Sequence, residues 1–196
     1  MYYNKDVTIC GVDVARGGED STAIAILENN KILPIITLNK FDVVEVTREV
    51  QNISDTYKPL NIYVDVIGIG AGVVDNLLHS GYPVTGINVA KSAWNKDRFK
   101  ILRDELWWNL RECVNPRADN PVLLPDDKIL LKEISKVSYS YRSGKIEIES
   151  KDEIKKKIGH SPDRADAVCL SLIGYEHTNQ KTGGSSGLGI GWDNYY

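Results

Sequence analysis

The stretch Val7-Thr8-Ile9-Cys10-Gly11-Val12-Asp13-Val14 is a short run of apolar and β-branched residues that carries one carboxylate near its downstream end. Such a run predicts a buried strand. The polar break Arg16-Gly17-Gly18-Glu19-Asp20 follows, with a double glycine suited to a tight turn. Residues 21–27 give a second strand, Asn29-Asn30 a hairpin turn, and residues 32–38 a third strand. The opening pattern returns in Asn61-Ile62-Tyr63-Val64-Asp65-Val66, a fourth strand whose Asp65 stands where Asp13 stands in the first. Between them, residues 42–57 place Val43, Val46, Val50 and Ile53 at helical spacing, and Pro59 closes the segment. A glycine-rich turn, a helix over 73–79 ended by Gly81, and a fifth strand over 84–89 complete this half. The pattern predicts an α/β fold: a mixed sheet whose first three strands are antiparallel and whose later strands are parallel, flanked by helices.

The second half is more helical. Residues 97–113 carry Ile101, Leu102, Leu106 and Leu110 at helix spacing, and residues 126–134 a shorter helix after Pro125. Residues 136–148 alternate around Ser143-Gly144 and read as an accessory β-hairpin, and 151–158 as a basic helix or loop ended by Gly159. The last helix is expected over 161–175, with Ser161 as N-cap and Pro162 at the first helical position. From Thr178 the chain turns to Gly, Ser, Thr and Asn, so residues 1–177 are expected to form one domain and 178–196 a flexible tail.

Composition narrows the function classes. The chain has 196 residues, with 42% hydrophobic and 26% charged, a globular composition of single-domain length. No apolar run approaches the roughly 18 residues of a membrane span. Cys10, Cys113 and Cys169 are scattered, which fits neither a disulfide framework nor a zinc site and suggests a reducing compartment. The net charge of −3 argues against nucleic-acid binding by bulk charge alone, but not against an acidic centre neutralised by metal.

Asp13 and Asp65 each sit in a strand whose burial demands a partner for the carboxylate. If the two strands are parallel neighbours, both acids project at the sheet edge where α/β proteins bind ligands. Ser161-Pro162-Asp163-Arg164-Ala165-Asp166 adds two more carboxylates at i and i+3, on one helix face. Such a set, without His or Cys, is a hard oxygen site suited to Mg²⁺ or Mn²⁺. Two ions held roughly 4 Å apart can drive phosphodiester cleavage by water. Taken singly, Asp163 reads equally as a helix cap. His160 is either a loop histidine or a proton-transfer group.

The segments Gly11-Val12-Asp13-Val14-Ala15-Arg16-Gly17-Gly18-Glu19-Asp20-Ser21-Thr22 and Val64-Asp65-Val66-Ile67-Gly68-Ile69-Gly70-Ala71-Gly72 resemble motifs of the nuclease domain of phage terminase large subunits. Arg103-Asp104-Glu105-Leu106-Trp107-Trp108 and Ser161-Pro162-Asp163-Arg164-Ala165-Asp166-Ala167 resemble later motifs, in the same order. The resemblance covers residues 7–175. It implies an RNase H-like fold and a metal-dependent endonuclease that cuts concatemeric viral DNA with little sequence preference. It matches Asp13, Asp65 and Asp166 to metal-binding acids, Asp163 to a variable acid or histidine, and Asp20 to a further acid near the metals. Asp20 reads equally well as a turn residue.

Two basic clusters, Lys91, Lys96, Arg98, Lys100 and Arg103, then Lys145, Lys151, Lys155, Lys156 and Lys157, are candidate phosphate contacts, with Arg164 a further one. The chain has no G-x-x-x-x-G-K-[ST] loop, so DNA translocation would need an ATPase domain from elsewhere. The resemblance also implies a small terminase subunit and a portal as partners, and the host cytoplasm as the setting. A junction resolvase on the same fold, or a non-catalytic or nucleotide-binding domain, are the competing expectations.

Overall fold

The computed structural model describes residues 7–15, 20–173 and 175, so the expected 178–196 tail, the 177 boundary and the Arg16–Glu19 part of the first turn lie outside the described residues. Strands β1 (Thr8–Asp13), β2 (Thr22–Glu28), β3 (Lys31–Ile32) and β4 (Ile36–Leu38) open the fold, followed by α1 (Val43–Tyr57), β5 (Asn61–Asp65), α2 (Gly70–His79) and β6 (Val84–Ile87). The sheet runs β3-β2-β1-β5-β6, with β4 also on β2. Strand β1 pairs antiparallel with β2 and parallel with β5, and β5 pairs parallel with β6. The mixed sheet is as the sequence predicts. The expected third strand over 32–38 is instead two, because Pro34 has no N–H to give the ladder.

Alternation along β1 and β5 divides the core in two. Cys10, Val12, Ile62 and Val64 face α1 and α2, packing with Val46, Val50, Val73 and Leu77. Ile9 and Tyr63 face the opposite side, where Leu106, Leu110, Leu130, Val168 and Leu172 pack. That second layer is built from α3 (Leu102–Cys113), α4 (Lys128–Ser135) and α6 (Asp163–Ser171), with the hairpin β7 (Tyr139–Arg142) and β8 (Lys145–Ile148) and helix α5 (Lys151–Ile158) at its rim. Register pairs Gly11 with Tyr63 and Val12 with Val64. Asp13 and Asp65 are the next odd residues on both strands, so both belong to the α6 face at one sheet edge.

Two helix starts differ from expectation. Helix α3 begins at Leu102 rather than at 97, because residues 95–99 form turns in which Phe99 is drawn down against Ala93 and Ile146. Helix α6 begins at Asp163, with Pro162 rather than Ser161 at the N-cap: the Pro162 carbonyl accepts from Asp166 N at 2.9 Å, while Ser161 Oγ donates to Asp20 Oδ1. Helix α2 starts earlier, at Gly70, where a Cβ would lie 1.8 Å from the Asp65 carbonyl oxygen. The 151–158 segment is a helix, with Ser150 and Glu153 forming a reciprocal cap.

Helix α6 crosses β1 at Gly11, where a Cβ would fall 2.2 Å from the Ala167 carbonyl oxygen and 2.4 Å from Ser171 N. Both obstacles are backbone, so Gly11→Ala must push the helix off the sheet. We expect the variant to lose about 1–3 kcal/mol in urea unfolding, the usual cost of overpacking. A Tm within one degree of the native protein would show that α6 does not depend on this contact.

Candidate active site

Four carboxylates meet at the sheet edge: Asp13 from the end of β1, Asp65 from the end of β5, and Asp163 and Asp166 from the first turn of α6. They line one open cavity of about 920 Å³, walled on the far side by the β7–β8 hairpin through Ser140, Arg142 and Glu147. Asp13 and Asp163 are almost wholly buried. Each acid is oriented by a donor or a cation. Ile67 N donates to Asp65 Oδ1 at 3.0 Å, Ser21 N to Asp163 Oδ2 at 3.1 Å, and Trp107 Nε1 to Asp166 Oδ1 at 2.8 Å.

The centre of the cluster is an ammonium. Lys151 Nζ lies 3.1 Å from Asp13 Oδ2, 3.1 Å from Asp163 Oδ1 and 3.1 Å from Asp166 Oδ2. The sequence suggested Lys151 as a phosphate contact, whereas the fold turns it inward from the first turn of α5. Burial works against its charge, but the three carboxylates outweigh burial and hold Lys151 well above the usual lysine range. One positive charge cannot balance three negative ones. Burial, reinforced by Asp166 and Asp163 against the opposing pull of Lys151, pushes Asp13 up to about 7. Burial likewise raises Asp65 to about 6, partly offset by the Ile67 N–H. Asp163 is also raised, chiefly by burial. The carboxylates are thus short of positive charge, and all their donor atoms are hard oxygens. Among the described residues no three or more His, Cys, Asp and Glu side chains stand together in a metal-binding arrangement, and Lys151 sits among the acids.

Asp20 lines the same cavity, but its Oδ1 accepts from Lys155 Nζ at 2.8 Å and from Ser161 Oγ at 2.9 Å. The Lys155 hydrogen bond holds Asp20 below the usual carboxylate range. Lys155 is therefore placed on Asp20. Arg164, expected as a phosphate contact, pairs with Asp127. Arg103 lines the cavity, yet its guanidinium packs 5.4 Å over Trp107 and donates to the Glu149 carbonyl at 2.9 Å, so it braces the wall. Lys96 and Arg98 are exposed in the loop before α3, and Lys145 is half-buried on the hairpin. His160 Nδ1 is 2.8 Å from the Ser161 carbonyl oxygen and 3.5 Å from Glu133 Oε1, and His160 does not line the cavity.

Glu133, which the sequence did not single out, is 1% exposed on α4. Its Oε2 accepts from Ala165 N at 2.8 Å, so α4 satisfies a free amide at the start of α6, between the two acids that helix carries. The available signal was its spacing, three residues after Leu130 on the apolar side of α4.

No protein-family model and no curated protein matches the chain. Solved structures do. The nuclease domain of the large terminase subunit gp2 of bacterial virus Sf6 superposes with a TM-score of 0.73 at 19% identity, over 86% of this chain and 88% of that one. The fold is that of the phage large-terminase nuclease domain, an RNase H-like fold. A lysine-to-alanine variant of the Sf6 domain, solved with manganese and β-thujaplicinol, gives a TM-score of 0.74 at 18% identity over 86% and 88% of the two chains. The large terminase nuclease of thermophilic phage G20c, solved with bound magnesium, gives 0.65 at 18% identity over 87% and 82%.

Burial raises Glu133 to about 8, which favours its protonated form in the folded state. The folded protein then binds more protons than the unfolded chain between the ordinary carboxylate range and about pH 8, so stability falls as pH rises through that window. Glu133→Gln should remove its share of this fall, a gain of about 1 kcal/mol or more at pH 8 relative to pH 5. Parallel urea melts of the two proteins across this range would show no difference if Glu133 ionises normally.

Proposed function

We propose that this chain is a metal-dependent DNA endonuclease of viral genome packaging, with Asp13, Asp65, Asp166 and Asp163 holding two divalent ions, Mg²⁺ or Mn²⁺. The observation that carries this reading is the convergence of three carboxylates, two of them buried, on one ammonium, beside a fourth, on a fold shared with terminase nuclease domains. Bound ions would supply the charge that polarises a phosphodiester and activates water.

The chain's own groups account for the rest. Trp107 and Ser21 N fix the free oxygens of Asp166 and Asp163, so these carboxylates need little reorganisation to accept a cation. Lys151 is the group that must leave the centre when a cation enters. Its side chain is 40% exposed, which leaves it room to swing toward the cavity and to a phosphate. Around the cavity, Lys100 and Arg142 are 67% and 75% exposed and offer charge to the DNA backbone rather than to base edges, in keeping with cleavage of little sequence preference. In this role the chain would act on double-stranded DNA in the host cytoplasm, beside an ATPase domain, a small terminase subunit and a portal. No helix among the described residues is long and apolar enough to cross a membrane.

Incubation with supercoiled plasmid should give nicked and linear DNA with Mn²⁺ or Mg²⁺ and none with EDTA. Asp13→Asn should lower the rate at least about 100-fold, beyond the roughly 10- to 100-fold typical of outer partners of a metal site. Cleavage that survives either treatment would overturn the assignment.

A second measurement needs no activity. Lys151→Met should melt a few degrees below the native protein in EDTA, because the acids lose their cation. Mn²⁺ should then raise the variant's Tm by more than the native protein's, as no ammonium has to be displaced. An equal shift in both would mean that Lys151 and the metal do not share the site.

A further inference from the structure

The β7–β8 hairpin has two unlike faces. Register pairs Ser140 with Glu147 and Arg142 with Lys145, so these four share the face whose Ser140, Arg142 and Glu147 line the acidic cavity. Tyr139 pairs with Ile148 and Tyr141 with Ile146, and they form the other face, from which Tyr139 and Ile148 also reach the cavity. The two isoleucines pack inward with Phe99 and Trp108. The two tyrosines do not: Tyr139 is 47% and Tyr141 67% exposed. They extend a ladder of rings outward from the interior, from Phe99 to Trp108 at 6.3 Å, Trp108 to Tyr139 at 5.2 Å and Tyr139 to Tyr141 at 6.0 Å, the last two edge to face. Guanidinium groups flank it. Arg111 lies 4.5 Å over Trp108, and Arg98 lies 5.8 Å over Trp108 and 5.2 Å over Phe99.

Resting on the nuclease reading, we infer that this outer face is a stacking platform for unpaired bases, carried by a DNA strand that passes around the hairpin from the acidic cavity. Packing explains Phe99 and Trp108 but not Tyr141, which is mostly in water and extends the ladder beyond Tyr139. A duplex presents base edges and phosphates to a protein, so exposed ring faces find no partner there. Unpaired bases do present their faces, and aromatic rings beside cationic side chains are the usual way to hold them. The charge favours nucleic acid over an apolar protein surface: Arg98, Arg111, Arg142, Lys100 and Lys145 surround the hairpin, against Glu112, paired with Arg111, Glu147, which Lys100 and Arg142 flank, and Glu149, paired with Lys157. The platform is also continuous with the cavity, since Tyr139 contributes to both. The hairpin thereby becomes a divider, with cleavage on one side and an unpaired segment on the other.

Binding measured by fluorescence anisotropy in EDTA separates this proposal from the cleavage chemistry. The probes are a labelled oligothymidylate and a blunt duplex of equal length. Tyr141→Ala should weaken oligothymidylate binding roughly 5-fold or more, the loss of one stacked base, while changing duplex affinity less than about 2-fold. Tyr141→Phe keeps the ring and should retain native binding, and Leu78→Ala, an exposed apolar residue on α2, should have no effect. Thermal melts establish that each variant folds, which the exposure of Tyr141 favours.

Equal binding of oligothymidylate by the native and Tyr141→Ala proteins would overturn the platform, and a face that serves a protein partner would give that same result. So would an equal loss on both probes. Plasmid nicking abolished by Asp13→Asn alongside such a result would leave the nuclease standing without the platform. The converse, ring-dependent strand binding with no metal-dependent nicking, would remove the nuclease and keep the binding face.

Discussion

Helix α6 can lie directly on β1 only because position 11 has no side chain. The backbone of Ala167 and Ser171 occupies the space a Cβ would need, and this contact sets how close the helix comes to the sheet. Everything at the edge depends on that distance. With α6 seated at Gly11, its first turn reaches the ends of β1 and β5, and Asp163 and Asp166 come within range of the same ammonium as Asp13. The parallel register of β1 and β5 supplies the other half of the geometry, by putting Asp13 and Asp65 on one face at one height. Helix α4 then secures the start of α6 from behind, with Glu133 on Ala165 N and Asp127 on Arg164.

Crowding acids in this way has an electrostatic consequence. Burial raises the cost of ionising each acid and the neighbouring carboxylates add to it, so Asp13 is held near 7 despite direct contact with a lysine. A fold with no use for a cation could relieve this at once by replacing one acid with an apolar residue, since buried ion networks are seldom worth their desolvation. The cluster instead keeps all four acids and supplies backbone and indole donors for their remaining oxygens. That arrangement orients lone pairs inward, where the Lys151 ammonium is the counter-ion.

Much of this was legible in the sequence. Asp13 and Asp65 stand out because a carboxylate in an apolar strand requires a reason, and the i, i+3 spacing of Asp163 and Asp166 places them on one helix face before any coordinates exist. The roles of the basic residues were not legible. Lys151, Lys155, Lys156 and Lys157 form one cationic run, and only the geometry of α5 separates Lys151 among the acids from Lys155 on Asp20. Arg164 stands beside two acids in sequence and pairs with neither, because Asp127 approaches from another helix. Helix starts were misplaced where a tertiary contact won over local pattern: Ser161 has the side chain of an N-cap, but Asp20 takes its hydroxyl.

The hairpin illustrates the same limit from the opposite direction. Its turn was readable, since Ser143 and Gly144 both adopt positive φ, the geometry that closes a two-residue β-hairpin. What period-two alternation could not tell was which face would be buried, because Tyr139 and Tyr141 look like core residues in a strand. Only Ile146 and Ile148 on the partner strand are drawn into the layer under Phe99 and Trp108, and the tyrosines are left at its margin. A two-stranded ribbon has a single sheet layer, so burying one face's isoleucines against α3 fixes the polar face toward the acids and carries the rings outward beside them. The wall of the cavity and the aromatic surface are therefore consequences of one register.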